Sequence, residues 1–192
     1  MTESRPHLIY NTEGKTMDKK SERSQKLSSI QDDISKIDSI IRLSKAPLAH
    51  DYEILVYLTK APDVNQDKAK LFVENLRTYY SHLDVGLLYS YVVEKTPIQV
   101  LKELAIIFQA AKVLQGLFAK AINDFPRQTK LMESVESKIS SILQLLLSIF
   151  NQLRELYSKD ESNKDILSRF NELDRVKIDD LSTQTGDTGL SP

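Results

Sequence analysis

The chain of 192 residues contains no cysteine. That excludes a disulfide frame, a thiolate metal site and a cysteine nucleophile, and it fits a reducing compartment. Glycine is scarce: of five residues, Gly14, Gly186 and Gly189 fall near the two ends. Only Gly86 and Gly116 lie between Lys20 and Asp180. Few breakers among many Leu, Ile, Lys, Glu and Ser favour long helices. An excess of charge of one sign is also missing, since Lys and Arg total 26, Asp and Glu total 27, and the net charge is −1. A dedicated binder of nucleic acid or of anionic membranes needs a basic field, so that class is disfavoured.

Long apolar runs are absent as well. The most apolar window, Leu104–Ile122, is interrupted by Gln109, Lys112, Gln115 and Lys120, and no membrane span is expected from it. Met1–Tyr10 lack the apolar centre of a secretory signal. The expectation is a soluble intracellular protein, cytoplasmic or cytoskeleton-associated, with the nucleus as the alternative compartment.

Chemistry is thinly represented. The three histidines are His7, His50 and His82, and none forms a His-x-x-x-His pair or a zinc motif. Gly14-Lys15-Thr16 matches the end of a phosphate-binding loop, but Ile9 stands where that motif needs glycine. The acidic pairs Asp32-Asp33 and Asp179-Asp180 fall on polar faces or tails, whereas catalytic carboxylates need a dry cleft. No catalytic, cofactor-binding or metal-ligating residue is assigned, and no enzyme activity or cofactor is expected.

What the chain does have is heptads. Met132, Val135, Ile139, Ile142, Leu146, Ile149, Leu153 and Leu156 alternate steps of three and four without a Pro or Gly. With Met132 at position a, Leu143 and Phe150 occupy e, Leu145 occupies g, and Leu147 falls at b. A two-stranded coil would leave those four side chains wet, at about 1.5–3 kcal/mol each. Met132–Leu156 therefore reads as the central helix of a multi-helix assembly, with a partner covering what the chain itself leaves open.

A narrower seam runs through Leu27, Ile30, Ile34, Ile37 and Ile41 in a first helix from about Met17 to Lys45. Its flanks are mostly polar, as in a strand of a coiled coil. Pro47 ends that helix, and Leu48–Lys60 reads as a short one with Ile54, Leu55 and Leu58 inward. Asp63 or Asn65 caps the next, which carries Phe72, Leu76, Tyr79 and Leu83. Asp84-Val85-Gly86 is a break, and Leu87–Val93 reads either as a short helix or as an extended connector. Thr96-Pro97 opens a helix to about Phe125, with Gln115 in its one polar core slot; a polar residue there can fix register or oligomer state, but the favoured reading is that Gln115 points to the rim. Pro126 then implies an antiparallel hairpin with the central helix, or else a kink. A final helix is expected over Asn163–Ile178, capped by Ser162.

The fold class is thus all-α: an elongated helical bundle with coiled-coil helices over residues 18–179, between disordered termini at 1–17 and 180–192. Leu27, Ile30, Ile34, Ile37, Ile41, Leu143, Leu145, Leu147 and Phe150 are the expected partner-binding residues.

Two stretches carry a family resemblance. Tyr79-Tyr80-Ser81-His82-Leu83-Asp84, followed by a break and a long helix, and Leu167-Ser168-Arg169-Phe170-Asn171-Glu172-Leu173-Asp174 resemble the small shoulder subunit of dynactin. The resemblance spans roughly Lys70–Leu181, and the N-terminal half departs from it, because Pro47 and Pro62 interrupt what should be longer helices. It implies a non-catalytic scaffold in a cytoskeletal motor adaptor whose partners are other helical subunits. Small helical subunits of kinetochore or vesicle-tethering complexes share the pattern. A membrane-associated bundle is a further alternative, and the neutral charge counts against it.

Overall fold

The computed structural model describes residues 7–42 and 48–173, with side chains from residue 18 onward. Among the described residues the fold is all-helical, with seven α-helices and no strand. These are α1 (His7–Arg42), α2 (Leu48–Leu58), α3 (Gln66–Tyr80), α4 (Leu88–Glu94), α5 (Pro97–Asp124), α6 (Thr129–Tyr157) and α7 (Lys164–Arg169).

Local signals account for most boundaries. Asn65 accepts hydrogen bonds at its side-chain oxygen from the backbone N–H groups of Asp67 and Lys68, at 3.1 and 3.2 Å, which opens α3. At the start of α5 the Gln99 Oε1 accepts from the backbone N–H of Thr96 at 3.1 Å, and Pro97 occupies the first turn. Asp84 Oδ1 accepts from the backbone N–H of Gly86 and from Arg42 Nη2, each at 2.8 Å. That carboxylate thus turns the chain and holds the end of α1. A Cβ on Gly86 would come within 3.1 Å of the same oxygen, which is why glycine suits this close approach.

α5 and α6 form the centre. A single 3-10 turn, Pro126–Gln128, joins them, so Pro126 makes a hairpin and not a kink. Gln115 Nε2 donates to Ser140 Oγ at 2.9 Å and fixes the antiparallel register across their seam. α5 presents Leu101, Leu104, Ile107, Phe108, Ala111, Leu114 and Phe118 to the core, all buried. It is long and apolar enough to cross a membrane by length and composition alone, and many of its apolar residues are buried inside the bundle. The same composition is that of a helix packed on more than one side. α3 lies on α5, pinned where Phe72 meets Phe118 edge-on at 5.8 Å and Phe125 at 5.4 Å. α4 packs on α5 and α1, and α2 bridges α1 and α6.

Two expected boundaries move. α1 begins at His7, ten residues before the Met17 start, because the helix propagates through a stretch holding one glycine and no proline. The final helix is short: a 3-10 turn at Glu161–Asn163 leads into α7, which ends at Arg169. Asp160, not Ser162, provides the cap, its Oδ1 accepting from the Ser162 backbone N–H at 3.0 Å. Two hydrogen bonds from Ser162, through its hydroxyl and its backbone, hold the Asp160 carboxyl below the usual carboxylate range. Of Leu87–Val93, Leu88–Val93 resolve as helix within α4, and Leu87 stands at its N-cap. The expected tail at 180–192 lies outside the described residues.

Candidate interaction surface

The narrow seam of α1 is already occupied. Ile30, Ile34, Ile37 and Ile41 are buried, and Leu27 is half-buried, all packed into the chain's own core. α1 runs antiparallel to α6, since Lys26 pairs with Glu155 while Asp33, further along, meets Ser148. The expectation that this seam awaits another chain is therefore corrected. α6 is apolar around more of its circumference than one neighbour can cover, and α1 takes the second face. Leu143 and Phe150 are likewise buried, and Leu145 is half-buried against the core. Of the nine residues, Leu147 alone is an exposed large apolar side chain, at 39%. Its helix neighbours Gln144 and Asn151 are exposed and polar, so it forms no stripe.

Sequence reasoning missed the polar contacts inside the bundle. Asp33, placed on a polar flank by the heptad, is buried between α1 and α6. Its Oδ2 accepts from the Ser148 hydroxyl at 2.8 Å and from Gln152 Nε2 at 2.9 Å. Lys36 Nζ lies 3.5 Å from Oδ1. Burying a carboxylate is unfavourable without such donors. The signal was present as Ser148 and Gln152, two polar residues one turn apart on α6. Asp51 of α2 is also buried and forms an ion pair with Lys138 of α6. Nothing in the sequence brings residues 87 positions apart together.

Two tyrosine hydroxyls are buried without a hydrogen-bond partner, those of Tyr80 and Tyr157. Burial first, then the Asp51 charge and Tyr52, push the Tyr80 phenol far above its usual range. Its ring lies 5.0 Å from that of Tyr52. Burial pushes the Tyr157 phenol up to about 12, opposed by the nearby Arg23 cation. Glu155 is exposed; the hydrogen bond and charge of Lys26 hold its carboxyl below the usual range. Among the described residues no group of three or more His, Asp or Glu side chains gathers where a metal could sit.

What faces outward and is apolar is scattered over four elements. Tyr57 on α2, Leu71 on α3, Leu87 and Val93 around α4, and Leu147 on α6 are all exposed. The two stretches behind the family resemblance serve packing here: Leu83, Phe170 and Leu173 are buried, and Tyr79 and Tyr80 are half-buried. Comparison with family models, with curated proteins and with solved structures gives no match.

Proposed function

We propose that the chain is a non-catalytic helical scaffold subunit of an intracellular, cytoplasmic multiprotein complex, and that this complex is a microtubule motor adaptor of the dynactin type. The observation that carries the reading is the spread of exposed large apolar side chains. Tyr57, Leu71, Leu87, Val93 and Leu147 lie on four different elements of a bundle whose interior is otherwise filled. Separate apolar anchors on several sides suit a subunit with several protein neighbours better than a single cleft would. The choice of a motor adaptor over a kinetochore or tethering complex rests on the resemblance at residues 79–84 and 167–174.

The test is purification of the tagged full-length chain from its native cell, with mass spectrometry of what accompanies it. Helical dynactin-type subunits in stoichiometric amount are expected, and Leu71→Asp with Leu147→Asp should reduce their yield several-fold. Recovery of the chain alone, as a monodisperse monomer, overturns the scaffold reading. Recovery with kinetochore or tethering subunits overturns the motor-adaptor part of it.

A further inference from the structure

α3 and α5 pack side by side in opposite directions. Lys68, near the start of α3, pairs with Asp124 at the end of α5 at 3.2 Å, and Phe72 one turn on meets Phe118. A groove runs along their seam, lined by Leu71 and Asn75 of α3 and by Leu117 and Lys120 of α5. Leu71 is 59% exposed. On α5 the groove opens onto a wider face, because Gln109, Val113, Gly116 and Lys120 follow one another at steps of four, three and four. The chain's own return covers that face at Gln109, whose Nε2 donates to the Leu173 carbonyl at 3.2 Å. Over the next stretch, about 10 Å from Val113 to Lys120, the face is open among the described residues. A Cβ placed on Gly116 meets nothing within 4 Å. Val113 and Leu117 are half-buried there, and Ala119 is exposed.

The two banks of the groove differ in charge. The α5 bank carries the exposed Lys112 and Lys120, and its one carboxylate, Asp124, is taken by Lys68. The outer flank of α3 carries the exposed Asp67 and Glu74, one turn to either side of Leu71, while Lys70 lies further round toward α2. A seam between two antiparallel helices suits a third helix, and the small side of α5 at Gly116 and Ala119 lets its backbone approach closely. Its apolar stripe would lie on Leu71, Val113 and Leu117. The charges flanking that stripe then set its orientation, as the e and g positions do in a coiled coil. This chain does not offer such a helix to a second copy, because its exposed large apolar side chains are single residues on separate elements among the described residues.

We propose that the groove between α3 and α5 binds an amphipathic helix of another protein, with Asp or Glu along the side of its apolar stripe that faces α5 and Lys or Arg along the side that faces α3. This names the chemistry of the neighbour at Leu71 and rests on the reading of the chain as a scaffold subunit. Burial of the stripe supplies the attraction, and the two rows of rim charges select the orientation and exclude a helix of reversed charge.

The test is carbodiimide coupling, which joins amines directly to carboxylates, on the complex purified through the tagged full-length chain. Lys120 should couple to Asp or Glu of a neighbour, and Asp67 or Glu74 to Lys of that same helical segment. Gly116→Leu raises helix propensity at an open position, so it should leave thermal unfolding intact while lowering the yield of that neighbour several-fold. Lys120→Glu should act alike, and reversing the coupled carboxylate of the neighbour to Lys should restore the yield. A recovered complex in which Lys120 couples only within its own chain, or from which Gly116→Leu loses nothing, overturns the proposal and leaves the scaffold reading standing. Coupling of Lys120 to an isotope-labelled copy of this chain also overturns it, and assigns the groove to a second copy. Recovery of the chain alone overturns both.

Discussion

Asp33 offers the sharpest perturbation of the fold. Replacing Asp33 by Ala removes the acceptor of two hydrogen bonds, at 2.8 Å from Ser148 and 2.9 Å from Gln152, across the α1–α6 interface. Hydrogen bonds to a charged acceptor contribute about 1.5–3 kcal/mol each. Against that sum stands the relief of desolvating the carboxylate, and both donors are half-buried and can recruit water. The net loss should be about 2–4 kcal/mol, or roughly 5–10 °C in Tm for a chain of this size. Asp33→Asn keeps a neutral acceptor and should lose about half as much. Urea unfolding of the full chain gives these values, provided the m-value stays constant. The cycle with Ser148→Ala should show coupling of about 1 kcal/mol. A loss below about 0.5 kcal/mol, or strict additivity with Ser148→Ala, refutes the claim that Asp33 anchors α1.

Three further outcomes are expected. Asp51→Ala should cost about 2–4 kcal/mol by stranding Lys138 in a largely buried site, whereas Asp51→Leu with Lys138→Met should be near neutral; equal losses in the two variants would count against a buried pair. Tyr157 ionises near 10.0 in an unfolded chain and about 12 when folded, so its contribution is whole below pH 10 and is lost as pH rises from there to about 12. After solvent screening that loss should be about 1–2 kcal/mol in alkaline denaturation curves, and Tyr157→Phe should abolish its share while changing neutral stability little or favourably. Leu143→Asp should unfold or severely destabilise the bundle, because Leu143 is 7% exposed, while Leu147→Asp should stay within about 0.5 kcal/mol of the parent by thermal melting.

The local grammar of the chain was legible because its causes are local. Thr96-Pro97, Asn65, Pro126 and Asp84-Val85-Gly86 act through bonds within a few residues of themselves, and each marks a boundary in the fold. The wide apolar surface of Met132–Leu156 also showed from spacing alone that several neighbours must surround it, and α5, α1 and α2 do. The reach of α1 and the shortness of α7 were not legible. The first depends on propagation through weakly patterned residues, and the second on a chain reversal that packs Phe170 and Leu173.

The sequence by itself determined that the chain is helical, where most helices start and stop, and which helix sits at the centre. Only the tertiary structure decided which neighbours meet. A heptad states that an apolar face must be covered, but the hydrophobic effect has no direction and does not name the cover. The seam from Ile30 to Ile41 satisfies a second chain and α6 equally well on paper; α6 takes it, since it lies within the same molecule and carries Ser148 and Gln152 opposite Asp33. With those faces consumed, what remains exposed and apolar among the described residues is Leu147 and the scattered residues Tyr57, Leu71, Leu87 and Val93 of α2 to α4.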